Sequence, residues 1–221
     1  MKLVKLTTIL PFIALLLTSA PSSAMVMYVE GTQLIVTGPL SGFELTQFST
    51  SLAPNITTVV LTNSSGGDFA SGLNLASIIR QRGLATVAKG YCQSSCANAF
   101  LGGVRRYLAD DLSSVAFHGH YDRLGRTLQS QIGQLRNFYA EMTGGKVSDN
   151  LVQQWLQKPN AGMIYFFRSV TYSCSGNEPK RPFSCEKLPQ TALKMGIITS
   201  REETASQGDR ERQLRVKSGV D

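Results

Sequence analysis

Two serines stand between two cysteines in Cys92-Gln93-Ser94-Ser95-Cys96, and the chain's histidines, His118 and His120, follow downstream. A hydroxyl or thiol that can meet an imidazole is the minimum for nucleophilic acyl transfer. Upstream, the β-run Val59-Val60-Leu61-Thr62 ends in Asn63-Ser64-Ser65-Gly66-Gly67-Asp68. Paired glycines between a strand and a helix let a substrate carbonyl approach backbone N–H groups closely, which is what an oxyanion site requires. Small residues opening a buried helix also place the side chain at 95 or 96 on a sharp turn that favours an oxyanion or thiolate.

Each piece has a plainer reading when taken singly. The glycines make an ordinary strand-to-helix turn, Cys92 to Ala99 is a stapled turn packed tightly, and His118, His120 even more, is a hydrogen-bonded structural histidine. The G-x-G-x-x-G spacing is absent, which excludes a dinucleotide site.

The elements that must position these residues follow from periodicity. Met25 to Val36 reads as a hairpin or two short strands, 42–52 as an amphipathic helix and Thr57 to Thr62 as a buried strand. Phe69 to Arg82 has a helical period that Gly83 stops. Leu84 to Ala88 is a strand, Ser94 to Gly102 a small-residue helix, and Tyr107-Leu108 and Val115-Ala116-Phe117 are strands, the last leading to His118. This alternation predicts βαβ units around a mostly parallel core. Arg123 to Thr143 and Asp149 to Gln157 are helical by pattern. From Phe166 to Leu188 the composition turns to Ser, Gly, Asn, Pro, Lys and Cys, predicting a surface excursion (167–188) closed by Cys174 and Cys185. Thr191 to Met195 reads as a last helix before a Gly196-Ile197-Ile198 strand.

Met1 to Ala24 has Lys2, Lys5, an apolar run from Leu6 to Leu17 and a small-residue end, the pattern of a secretory signal peptide cleaved after Ala24 or, alternatively, Ala20. No second long apolar run follows, so no membrane span is expected in the mature chain. The domain is expected at 25–200, and the polar 201–221 as a disordered tail. The formal net charge of +7 comes from scattered Lys and Arg rather than a stripe, so no nucleic-acid partner is expected. All four cysteines follow the leader, which suggests two disulfides in an oxidising compartment, periplasmic or extracellular. Sequence proximity pairs Cys92 with Cys96 and Cys174 with Cys185. Zinc ranks behind, because the spacing matches no finger, and no metal is expected.

In combination these pieces resemble the proteolytic subunit of the Clp protease and its relatives. That family reads Asn-Ser-Pro-Gly-Gly, then Gln-Ala-Ala-Ser-Met-Gly-Ala-Phe-Leu, then Arg-Tyr, then a strand ending in His. Here the order is Asn63-Ser64-Ser65-Gly66-Gly67, Gln93 to Leu101, Arg106-Tyr107-Leu108 and Ser114 to His118. The likeness covers about residues 57 to 120 and, loosely, Thr191 to Thr199. Exported bacterial relatives with a Cys-x-Ser-x-Cys turn match more closely than the cytosolic protease.

The resemblance implies an α/β ClpP/crotonase-like fold of repeated ββα units and a homo-oligomer. Counting back four from Phe100 places the family's nucleophile on Cys96, with His118 as base and the N–H groups of Gly67 and Ala97 as oxyanion hole. The segment matching the family's late acid, Pro159 to Phe166, contains no carboxylate, so Asn160 would orient the histidine as in Cys-His-Asn hydrolases. If Cys96 is bridged to Cys92, Ser95 or Ser94 is left to act. The implied activity is hydrolysis of a peptide or other acyl bond, its substrate unidentified, with no cofactor. Two other readings stay open: a catalytically degenerate binding or assembly protein of the same fold, and a crotonase-like acyl-thioester enzyme.

Overall fold

Residues 25–42, 45–119, 128–156, 162–175 and 184–201 are described by the computed structural model. The leader at 1–24, His120, Asn160 and the tail from 202 onward lie outside the described residues. The strands form one nine-stranded sheet in the order β1-β2-β3-β4-β6-β7-β8-β9, with β5 paired to β4. β1 (Val26–Glu30) and β2 (Gln33–Thr37) form the expected hairpin, followed by α1 (Leu45–Ser51), β3 (Thr58–Ser64) and α2 (Phe69–Gln81). Next come β4 (Ala85–Gln93), α3 (Ser95–Leu101), β5 (Arg105–Leu108) and β6 (Ser114–Phe117). Two helices, α4 (Gln129–Thr143) and α5 (Asp149–Leu156), precede β7 (Met163–Phe166), β8 (Thr171–Ser175) and β9 (Ser184–Leu188).

The sheet departs from the expected mostly parallel core. β2, β3, β4, β5 and β6 pair in parallel, whereas β1 and the whole β6-β7-β8-β9 flank pair antiparallel. Parallel pairing needs a crossover of about a dozen residues or more, and the chain between β7 and β8, and between β8 and β9, is shorter than that. The excursion expected at 167–188 therefore continues the sheet over its described residues, with Cys174 directly opposite Cys185 and their sulfurs bonded at 2.11 Å. Its polar composition suits an edge: β9 is exposed and carries Glu186 and Lys187, which discourage further pairing. The strand expected at Gly196 to Ile198 is absent. Arg106 captures the Gly196 and Ile197 carbonyls instead, at 2.6 and 2.9 Å, so no neighbouring strand is needed to satisfy them.

One face of the sheet is covered by the helices. There Phe117 lies 5.6 Å from the Trp155 ring and 5.5 Å from that of Tyr139, and Trp155 and Phe166 are 5.3 Å apart. These rings bury the largest side chains of the core in edge-on and offset contacts. A smaller cluster of Ile35, Val60, Ala85, Val87 and Tyr107 lies apart from this core.

Helix α3 is buried at all seven of its residues and packs on α2 through missing side chains. A Cβ added at Gly72 would meet the Ser95 carbonyl oxygen at 2.5 Å, and one at Gly102 would meet the Ala76 oxygen at 2.4 Å. Both neighbours are backbone and cannot rotate away. Gly72→Ala and Gly102→Ala are each expected to lower the unfolding free energy by about 1–3 kcal/mol in urea titrations. Unchanged midpoints would show that α2 and α3 are free to separate.

Candidate active site

Three adjacent parallel strands, β3, β4 and β6, end at the same edge of the sheet, and each delivers one part of the predicted site. Ligands in parallel sheets bind at the carboxyl ends of strands because the chain there is free to turn outward.

The turn after β3 carries the glycine pair. Ser64 Oγ accepts the Gly66 N–H at 3.2 Å, tightening the turn. Leu40 N–H donates to Gly66 O and Asp68 N–H to Leu40 O, both at 2.8 Å. Peptide groups alternate along an extended strand, so this bridge turns the intervening Gly67 N–H to the opposite side. Gly67 has φ +140°, and a Cβ there would lie 2.0 Å from Leu40 O, so only glycine fits. Gly66 lies against the next strand end, where its Cβ would meet Ser94 Cβ at 2.8 Å and Ser95 N at 2.9 Å. Asp68, in turn, caps α2 by accepting the Ser71 N–H at 2.7 Å.

The turn after β4 is the unusual one. Ser94 sits at the N-cap of α3 with φ +56° and ψ −126°, and its hydroxyl does not cap the helix. An N-cap serine ordinarily has extended φ and accepts a first-turn N–H. This backbone instead makes a sharp strand-to-helix elbow that lifts the half-buried side chain away from the helix, at a cost of about 1–3 kcal/mol. Two links hold it. Ser94 N–H donates to Ala116 O of β6 at 2.9 Å, and a disulfide of 2.02 Å joins Cys92 in β4 to Cys96 in α3.

That bridge is the pairing expected from sequence proximity, and it leaves Cys96 without the free thiol a thiolate nucleophile requires. Its sulfur is oxidised, 1% exposed and part of the apolar core. Ser95 does not replace it: the residue is fully buried against Gly72 and its Oγ has no partner. Ala97 is the third residue of α3, so the N–H immediately following the elbow belongs to Ser95. Counting back from Phe100 thus lands two residues past the apex. The signal for Ser94 was its place midway between two cysteines close enough to close a small loop.

The third part, His118, leaves β6 two residues beyond Ala116, which pairs with Gln93 of β4. Neighbouring strands stand about 4.8 Å apart, so the Ser94 and His118 side chains issue from adjacent strand ends. His118 Nδ1 bonds the Gly119 carbonyl. A carbonyl only accepts, so Nδ1 carries the proton and Nε2 the lone pair in the neutral ring. Burial holds the imidazole below its ordinary pKa, and the Gly119 bond opposes that more weakly. The neutral, base-competent form therefore dominates at neutral pH. Among the described residues, no group of three or more His, Cys, Asp or Glu is placed to hold a metal ion.

No family model and no curated protein matches the chain. A solved structure of a ClpP1 mutant from Listeria monocytogenes does, at 14% identity and a TM-score of 0.51, over 79% of this chain and 92% of that one. The chain thus has a ClpP-like fold, and its two disulfides are compatible with an extracellular location.

Two measurements follow. Ser94→Gly relieves the positive φ and is expected to add about 1 kcal/mol of stability in urea unfolding, net of the glycine's greater unfolded-state entropy; a loss would contradict the elbow backbone. Proton NMR of His118 should show a titration midpoint below the ordinary value of about 6.5. Because the folded pKa is lowered, the stability contributed by neutral His118 is present above the ordinary value and lost as pH falls through the folded one. A midpoint above 6.5 would overturn the assignment.

Proposed function

We propose that this protein is an exported serine hydrolase of peptide or other acyl bonds, with Ser94 as nucleophile and His118 as general base. The observation that carries this reading is the non-capping, positive-φ Ser94, at the strand end between the Gly66-Gly67 turn and His118. Backbone strain at one serine is retained where the surrounding structure over-determines it, and such positions cluster at active sites.

In the proposed reaction the substrate carbonyl lies over the elbow. His118 Nε2 takes the Ser94 hydroxyl proton as Oγ bonds to the carbonyl carbon. The carbonyl oxygen becomes an oxyanion, received by the N–H groups of Gly67 and Ser95. Collapse breaks the bond to the leaving amine or alcohol, which departs with the proton from His118. Water then repeats the sequence on the acyl-enzyme, returning the proton to Ser94.

The Gly119 carbonyl accepts from Nδ1 and so fixes the tautomer that leaves Nε2 to act as the base. The elbow hydroxyl weighs against a thioester enzyme, which needs an oxyanion hole but no nucleophile. The export signal at 1–24, the domain at 25–200, the tail at 201–221, a homo-oligomer and a helper role for Asn160 complete the proposal.

A fluorophosphonate probe should label the exported, oxidised protein at Ser94, as read by peptide mass. Ser94→Ala should abolish labelling, and His118→Ala should slow it by about 10²- to 10⁴-fold. Iodoacetamide should add nothing before reduction. Labelling that is absent, or indifferent to Ser94→Ala, leaves the catalytically degenerate binding protein as the function.

A further inference from the structure

The flank β7-β8-β9 carries an apolar cleft of about 350 Å³ lined by Tyr165, Phe167, Tyr172, Cys174 and Cys185. Its volume lies at the small end of the range of about 300–1,000 Å³ typical of ligand sites, the scale of a single large side chain. Its place relative to the elbow follows from strand register.

Phe117 pairs with Ile164, so His118 continues a row that runs through Met163 and Cys174 to Cys185. Two rows back, and so on the same face, a row runs from Gln93 through Ala116, Tyr165 and Tyr172. Phe117, Ile164 and Phe166 belong to the helix-covered core. Alternation along each strand therefore turns Ala116, Tyr165, Tyr172 and Cys174 to the opposite face, away from the helices. The cleft opens on that face, level with the strand end that carries His118. Phe167 closes one side, its ring 6.1 Å from that of Tyr172 at 80°. The disulfide closes another and pins β9 to β8.

We propose that this cleft is the specificity pocket of the hydrolase, receiving a large apolar side chain, aromatic or long aliphatic, from the acyl part of a peptide substrate. The proposal rests on the Ser94 reading above. From the end of β4 to the middle of the β7-β8 pair is two to three strand spacings, or about 12 Å. An extended peptide covers that in about three residues, so the recognised residue is the third from the scissile carbonyl. The rings offer faces and edges to an aromatic guest and contact area to an aliphatic one. Lys187 pairs with Tyr172 on β9 and places a cation beside the cleft.

The test compares acetyl-Phe-Ala-Ala and acetyl-Ala-Ala-Ala p-nitrophenyl esters on the intact, oxidised protein, with Ser94→Ala as background. The Phe ester is expected to show at least a tenfold higher kcat/KM. Tyr172→Ala, which opens the cleft, and Tyr165→Trp, which fills it, should each bring the ratio close to one; the filling variant decides if the opening one fails to fold. Binding of acetyl-Phe-Ala-Ala-amide, followed by ligand-observed NMR, separates this proposal from the hydrolase reading. Ser94-dependent hydrolysis with no preference for the Phe ester overturns the pocket and leaves the hydrolase standing. Binding that Tyr165→Trp abolishes, without Ser94-dependent hydrolysis, supports the pocket and overturns the hydrolase. Neither hydrolysis nor binding overturns both.

Discussion

Helix α3 has nowhere else to go. All seven of its residues are buried, it touches α2 through the bare backbone at Gly72 and Gly102, and Thr86 of β4 donates its hydroxyl to Phe100 O at 2.7 Å. With both ends fixed, the short link from β4 into the helix must turn sharply at a single residue, and Ser94 takes the positive φ that results. The Cys92–Cys96 bridge spans that residue and ties the strand end to the first turn of the helix. Backbone strain, burial and crosslink are three aspects of one constraint. It also orders the other two strand ends, because Gly66 lies against Ser94 and Ser94 is bonded to β6.

The far end of α3 is held by electrostatics. Arg106, only 4% exposed, donates to the carbonyls of Gly103, Gly196 and Ile197 at 2.6, 2.6 and 2.9 Å. Burial, with a smaller contribution from Arg80, pushes its pKa down to about 10, so it remains charged at neutral pH. A buried cation surrounded by carbonyl oxygens is hydrogen-bonded rather than ion-paired, and losing those partners would leave it uncompensated. Arg106 thereby fastens the segment after Thr191 beneath β5 and the end of α3, a task the expected strand would have done through a ladder. Burial lowers the pKa of both Arg106 and His118, but Arg106 stays charged at neutral pH whereas the His118 ring is neutral there.

The β7-β8-β9 flank adds a second surface beside the parallel strands. It lengthens the sheet beyond β6, adds an edge stapled by Cys174–Cys185, and sets an apolar cleft level with the strand end that bears His118. Fold likeness at 14% identity speaks to the backbone path alone. What the site does depends on its own groups: one strained serine, one neutral histidine and the backbone amides between them.

Much of this was legible in the residue order. Periodicity marked β3, α2, α3 and β6, the glycine pair marked the β3 turn, and proximity paired all four cysteines correctly, because hydrophobic period and short-range loop closure are local properties of the chain. The apex of the elbow was not legible. Counting along a motif fixes positions in sequence, whereas φ at Ser94 is set by where α2, β6 and the disulfide hold the two elements it joins. Nor were β8 and β9, since polar residues on a sheet edge carry no apolar alternation and become strands only when β7 offers a partner. The sequence by itself determined which residue types could meet at the edge of the sheet. Tertiary structure decided that Cys96 and Ser95 face the core and Ser94 does not, because packing and crosslinking act between segments that local sequence cannot see together.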